Sequence, residues 1–109
     1  MKIIVKANHF VLTNDLREHA ERTLADVLVE SSRPPVGIMK IELTVFISHH
    51  GKVNHECSIK LFTPQFSPIQ ISEIRSDPYS AIGLAKQKLI AILKDLEPII
   101  GHSNEITAT

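Results

Sequence analysis

The 109-residue sequence predicts one α+β domain of two layers with the element order β-α-β-β-β-α. Three observations lead to this prediction. Alternating apolar residues indicate a hairpin in the middle of the chain, apolar residues at three- and four-residue spacing indicate a helix on either side of it, and a short β-branched run precedes the first helix. A four-stranded, mostly antiparallel sheet with one polar face buries its other face most economically when both helices pack on that one face.

The first strand and the first helix lie near the N-terminus. Residues 2–7 are rich in β-branched side chains, which favour a strand. Thr13 stands where a helix N-cap is expected, and Asp15 follows in the first turn, where a carboxylate suits the helix dipole. The paired prolines Pro34 and Pro35 end the helix. Its predicted apolar face comprises Leu16, Ala20, Thr23, Leu24 and Val27.

The central region predicts a β-hairpin followed by a fourth strand. Residues 39–47 alternate between apolar and polar side chains, as a strand with one solvated face does. The alternation resumes at Val53 after a short, polar, glycine-containing turn. A loop bracketed by two prolines and containing Phe66 comes next, and the fourth strand is expected to start at Ile69.

The last helix is predicted to begin at Asp77 and Pro78. An aspartate can accept hydrogen bonds from the free N–H groups, and proline is tolerated at the first helical position. Pro98 is expected to end the helix, so that residues 1–98 form the domain and residues 99–109 a short C-terminal tail. The predicted buried stripe comprises Ile82, Ala85, Leu89, Ile92, Leu93 and Leu96.

Composition limits the classes of function. Twelve Lys and Arg residues balance twelve Asp and Glu residues, so any nucleic-acid site has to come from a local cluster of cations. A single cysteine, Cys57, favours a reducing compartment. The quickly charged N-terminus predicts no signal peptide, and no apolar run approaches the roughly 20 residues of a membrane span. These features predict a cytoplasmic protein without a membrane partner.

The sequence predicts no metal, no cofactor and no catalytic site, and therefore no enzyme and no small-molecule substrate. Tetrahedral zinc needs about four converging ligands. Two adjacent histidines in a turn point to different sides, and the expected hairpin register places His55 opposite Phe46, several residues from that turn. Strand alternation places the cysteine on the core face, where a thiol is inert. The hairpin residues whose side chains could bind a metal are His49, His50, His55 and Cys57.

Two segments of the chain carry a resemblance to a known family. They are residues 8–19, with the sequence NHFVLTNDLREH, and residues 76–82, with the sequence SDPYSAI. In this element order they resemble the family of the ribosome hibernation-promoting factor and the ribosome-associated inhibitor, also called protein Y or sigma-54 modulation protein, in its short type. The resemblance covers residues 2 to about 97. It implies the fold predicted above, which is also similar to that of double-stranded RNA-binding domains.

The resemblance also implies a function. Such a protein binds the small ribosomal subunit and its rRNA near the decoding region and inhibits translation under stress. The two helices would face the rRNA. Thr13, Asp77 and Tyr79 would serve the structure as caps and anchor. The residues expected to contact rRNA are Arg17, Arg22, Lys86, Lys88 and Lys94.

The chain lacks several basic residues that the family carries. Thr23, Asp26 and Ala91 stand where the family carries basic side chains. Roughly three to five phosphate contacts remain, which predicts weaker, salt-sensitive binding. The alternative is a divergent paralogue that has lost RNA binding and acts as a protein-interaction module or a weak homodimer through the last helix. Its basis is the neutral net charge and the pair Leu84 and Ile90. This pair lies away from the buried stripe and would reach solvent, either scattered or in a contiguous protein-contact surface with Phe66 or Ile99.

Overall fold

The computed structural model describes the backbone of residues 2–30, 37–64 and 66–108, and the side chains of these residues apart from 28–30 and 96–108. It confirms the predicted fold class, with four strands in a mixed sheet and two helices in the order β-α-β-β-β-α. The elements are β1 (Lys2–Asn8), α1 (Asn14–Glu30), β2 (Ile38–Ile47), β3 (Val53–Thr63), β4 (Phe66–Arg75) and α2 (Pro78–Ala108).

The strands lie side by side in chain order, β1-β2-β3-β4. The pair β1 and β2 is parallel, because α1 carries the chain back between them, whereas the pairs β2 with β3 and β3 with β4 are antiparallel. The register places one apolar residue of each strand in a row across the whole sheet. This row consists of Val5, Ile41, Ile59 and Ile71, and all four are buried.

Both helices cover the face of the sheet that carries this row. α1 contacts β1, α2 contacts β3 and β4, and the two helices contact each other. Of the predicted apolar stripes, Thr23 is only half-buried and Ile92 partly buried, and the side chain of Leu96 lies outside the described residues. The stripe residues that are fully or almost fully buried are Leu16, Ala20, Leu24, Val27, Ile82, Ala85, Leu89 and Leu93.

The predicted hairpin register is wrong by one residue. Val53 pairs with Ile47, which places His55 opposite Val45 and not opposite Phe46. The reason lies in the turn, where the Ser48 N–H donates to the carbonyl oxygen of Lys52 at 2.9 Å. Ser48 therefore faces Lys52 and cannot face Val53.

The prediction of a loop around Phe66 is also wrong, because β4 begins at this residue and includes Pro68. Phe66 pairs with Thr63 after a register shift that begins at Leu61, and it packs against the core. A proline is tolerated here because β4 is an edge strand, and one side of an edge strand has no hydrogen-bonded neighbour.

Pro98 does not end the last helix, since α2 continues to Ala108. The expectation rested on the missing N–H of proline and on the crowding between its ring and the carbonyl of Lys94. Proline removes a single hydrogen bond from the ladder, and the helical backbone resumes after it. The division into a domain of residues 1–98 and a tail of residues 99–109 stays a prediction, but its boundary is not a helix end.

Two glycines provide a matched test of this packing. Gly37, before β2, has a φ of 129°, and a Cβ atom there would lie 2.1 Å from the carbonyl oxygen of Phe62. Gly83 lies in α2, with no atom within 4 Å of a Cβ built on it. We expect Gly37→Ala to lower the free energy of unfolding by about 2 kcal/mol or more, and Gly83→Ala to raise it by up to about 1 kcal/mol. Urea unfolding measures both, and equal effects would contradict the described backbone at Gly37.

Candidate nucleic-acid interface on the helical layer

The N-terminus of α1 is positioned by Thr13. The amide of Leu16 donates to the Thr13 hydroxyl oxygen at 3.2 Å, and the amide of Arg17 donates to the Thr13 carbonyl oxygen at 3.0 Å. The first bond satisfies a donor that the first helical turn leaves without a partner, and the second is the first backbone bond of the helix itself. They also hold Arg17 in the first turn, where its side chain is exposed.

The N-terminus of α2 is positioned by Asp77. The Ser80 amide donates to its Oδ1 at 2.9 Å, and the Ser80 hydroxyl donates to its Oδ2 at 2.6 Å. Because these bonds favour the charged carboxylate, they lower the pKa of Asp77 below its ordinary value of 3.8. Tyr79 is 47% exposed, and its ring meets that of His19 edge to face with centroids 4.8 Å apart. Tyr79 therefore joins the first turn of α2 to α1 from outside the core.

Lys86 and Lys88 point to opposite flanks of α2. The Lys86 ammonium lies 3.9 Å from a carboxylate oxygen of Asp26 in α1, whereas the Lys88 ammonium lies 3.1 Å from a carboxylate oxygen of Glu73 in β4. One lysine thus faces the seam between the helices, and the other faces the edge of the sheet. Residues two apart in a helix are separated by about 200° around its axis, which explains the divergence.

The other three predicted contact residues are Arg17, Arg22 and Lys94, and all are exposed. None of them forms an ion pair with another residue of the described side chains. They are the cations of the helical layer that are most accessible to an anion. They lie on two helices and do not form one compact group with Lys86 and Lys88.

Over residues 14–27 and 78–95 the helical layer has no net charge. Residues 14–27 of α1 contain two basic and four acidic residues, and residues 78–95 of α2 contain three basic residues and one acidic residue. The four carboxylates of residues 14–27 are those of Asp15, Glu18, Glu21 and Asp26. A polyanion that approached this layer would meet carboxylates as well as cations, which limits the number of phosphate contacts.

The expected solvent-facing apolar residues of α2 reach solvent only in part. Ile90 packs against the core as a partly buried residue, and Leu84 is half-buried. The protein-contact alternative stays a prediction, and the side chain of Ile99 lies outside the described residues. Phe66 also packs against the core.

The hairpin histidines and the cysteine do not come together. Cys57 is buried, and its desolvation raises the pKa of the thiol to about 12, which keeps it protonated. The ring of His55 contacts that of Phe10 edge to face at 6.1 Å. Among the described residues, no three His, Cys, Asp or Glu side chains are placed to hold a metal ion together. No helix within the described part of the chain is both long and apolar enough to cross a membrane.

One group of cations was missed by reasoning from the sequence. Lys2, Lys6, Lys40 and Lys60 occupy alternate positions of three strands, on the face of the sheet opposite the helices. The sequence did contain a sign of this group, since the alternation of the strands already placed lysines at polar positions. Only the register shows that they are neighbours across the sheet.

The chain is similar to known proteins in sequence and in fold. A family model described as sigma 54 modulation protein / S30EA ribosomal protein matches residues 3–97. The fold is similar to the Thermus thermophilus Protein Y N-terminal domain, with a TM-score of 0.66 at 18% identity over 88% of this chain and 99% of that chain. It is also similar to a ribosomal subunit interface protein from Coxiella burnetii, with a TM-score of 0.71 at 19% identity over 89% of this chain and 98% of that chain. No curated protein sequence matches the chain significantly.

The cap of α2 makes stability depend on pH. Because the folded state lowers the pKa of Asp77, the contribution of its carboxylate is complete above the ordinary value of 3.8 and is lost as the pH falls through the lowered pKa. Asp77→Asn keeps a capping oxygen but has no carboxyl group to titrate. We expect wild type to be more stable than this variant at pH 7, and the difference to shrink below about pH 4. Urea midpoints from pH 7 to acid measure this, and a difference that stays constant would contradict it.

Proposed function

Because the chain belongs to the sigma 54 modulation protein / S30EA ribosomal protein family, we propose that it is a hibernation factor that binds small-subunit rRNA and inhibits translation under stress. The observation that carries the proposal is the family match over residues 3–97, which is nearly the whole chain. The family consists of ribosome-associated factors, so the chain acts by binding and not as an enzyme. Its place of action is the cytoplasm, where ribosomes work.

The helical layer is the proposed rRNA-binding surface. Arg17, Arg22 and Lys94 are exposed and reach phosphates directly. A cation that neutralises a phosphate releases counterions, which is the main source of affinity for a polyanion. The bound domain inhibits translation by occluding the path of tRNA and mRNA through the decoding region.

Lys86 and Lys88 contribute after they exchange partners. Their ion pairs with Asp26 and Glu73 are partly solvated, with the Asp26 side chain 60% exposed and the Lys88 side chain 50% exposed. Such pairs contribute about 0–1 kcal/mol, and salt weakens them. A phosphate can therefore replace Asp26 at little cost, whereas replacing Glu73, whose side chain is 19% exposed, leaves a largely buried carboxylate without its partner and costs more. Because each phosphate contact releases counterions, the affinity falls as salt rises, with a slope set by the number of contacts.

Co-sedimentation with purified small ribosomal subunits across a salt series tests the proposal. We expect wild type to pellet with the subunits at low salt. Lys86→Gln combined with Lys88→Gln removes two phosphate contacts, so the slope of log affinity against log salt should fall by about 1.4 to 1.8. Glutamine keeps a polar side chain of similar length, and it avoids the repulsion that a charge reversal would create against Asp26 and Glu73.

The matched control is Lys52→Gln, in the hairpin turn, where the side chain is exposed and distant in sequence from both helices. This variant should pellet as wild type does. Wild type that fails to pellet even at low salt would contradict ribosome binding. Unchanged binding by the double variant, with wild type bound, would contradict the assignment of α2 as a contact surface.

A further inference from the structure

The face of the sheet opposite the helices, called here the open face, carries a cluster of lysines. Lys40 of β2 pairs directly with Lys60 of β3, and Ile4 of β1 pairs with Lys40 on its other side. Lys6 lies one alternate position further along β1, opposite Glu42. All three lysine side chains are exposed. The open face thus contains a positively charged patch that crosses three strands.

This arrangement is unfavourable for stability. Like charges directly opposite one another on neighbouring antiparallel strands repel. Neither Lys40 nor Lys60 forms an ion pair with a residue of the described part of the chain. The Lys40 ammonium instead lies 5.6 Å from the centre of the Phe62 ring. That contact attracts the cation to the ring but does not remove the repulsion between the two lysines. A local arrangement that opposes folding stability is typical of a binding site.

The carboxylates of the open face offset only part of the positive charge of the lysines. Glu42 accepts a hydrogen bond from the side-chain amide of Asn8. Glu56 accepts one from the hydroxyl of Ser72 at 2.5 Å. Both acids are thereby held by neutral donors. In the described strands this face has four lysines against two carboxylates, whereas residues 14–27 and 78–95 of the helical layer together have no net charge.

Apolar groups surround the lysines. Ile4 is 38% exposed, Ile38 is 38% exposed and Phe62 is 37% exposed. Together with the lysines, Ile4 and Phe62 line a shallow hollow of about 450 Å³, with Ser58 and Glu42 at its polar side. The hollow therefore offers ammonium groups for a negatively charged chain and flat apolar surface for planar groups.

We propose that the open face binds single-stranded nucleic acid. Lys6, Lys40 and Lys60 contact successive phosphates, while the exposed parts of Phe62 and Ile4 contact unpaired bases. Cations that follow a backbone, combined with an aromatic ring for base contact, are the features by which proteins hold single strands. A duplex does not fit, because its bases are stacked inside and cannot reach the ring. The site lies on the opposite side of the domain from the proposed rRNA contacts and goes beyond that function.

Two other occupants fit these observations less well. A second copy related by two-fold symmetry would bring the same lysines face to face, and their charges would repel. An acidic peptide would gain no backbone hydrogen bonds on this face, because the strand amides and carbonyls are committed to the sheet ladders. A single strand uses both the lysines and the ring.

Fluorescence anisotropy with a labelled oligouridylate of about 12 nucleotides tests the proposal, since such a strand is long enough for one small domain. We expect wild type to bind it at low salt. Lys40→Gln combined with Lys60→Gln should weaken binding at least about tenfold and reduce the salt slope by about 1.4. Phe62→Leu should weaken binding about fivefold or more and leave the salt slope unchanged, because it removes base stacking only. Lys52→Gln is the matched control and should bind as wild type does.

The melting temperature distinguishes a variant that has lost the binding site from one that has lost the fold. Removing the repulsion between Lys40 and Lys60 should leave the melting temperature of the double variant equal to or above that of wild type. Weaker binding by a variant that is no less stable would therefore support a binding site.

Three results would overturn the proposal. The first is wild type that does not bind the oligonucleotide at low salt. The second is binding that Lys86→Gln with Lys88→Gln abolishes while Lys40→Gln with Lys60→Gln does not. The third is displacement of the oligonucleotide by polyglutamate at lower concentration than by unlabelled oligouridylate, which would indicate an acidic protein partner. Failure of ribosome co-sedimentation alone would contradict the proposed function and leave this inference intact.

Discussion

The structure depends on one constraint, which is that a single sheet has a single apolar face to bury. The row formed by Val5, Ile41, Ile59 and Ile71 crosses all four strands, and both helices lie on it. The described helices both pack on this face and leave the other face of the sheet open. Only two broad surfaces are therefore left for partners, the outside of the helical layer and the open face of the sheet. Every functional residue discussed above lies on one of them.

The two periodicities of the backbone distribute charge differently over these surfaces. In α2, the two-residue spacing of Lys86 and Lys88 sends their side chains to opposite flanks, where each meets a carboxylate. In a strand, the same two-residue spacing keeps side chains on one face. Lys40 and Lys60 consequently come together although they are twenty residues apart in sequence. With equal numbers of acidic and basic residues in the whole chain, the sheet concentrates cations more effectively than the helices do.

The difference between short-range and long-range determinants explains how much of the fold and of the candidate site could be predicted from the sequence. The element order, the caps at Thr13 and Asp77 and most of the core follow from short-range patterns, because each depends on residues within a few positions of one another. The hairpin register could not be predicted, because it depends on how Ser48 bonds within the turn. The start of β4 depends on its place at the sheet edge. Whether the lysines of α2 converge depends on the rotation of that helix against the core, which no local pattern specifies.

Because the two surfaces are far apart, charges on one of them act only weakly on an anion at the other. The shortest dimension of the domain is 19 Å, whereas charges in the surrounding solution are screened over about 8 Å at physiological ionic strength. The carboxylates of α1 on one side therefore hardly reduce the attraction of the open face for an anion on the other. A zero net charge also removes long-range steering, so association depends on short-range contact with each surface. A local patch of cations can attract an anion although the chain carries no overall positive charge.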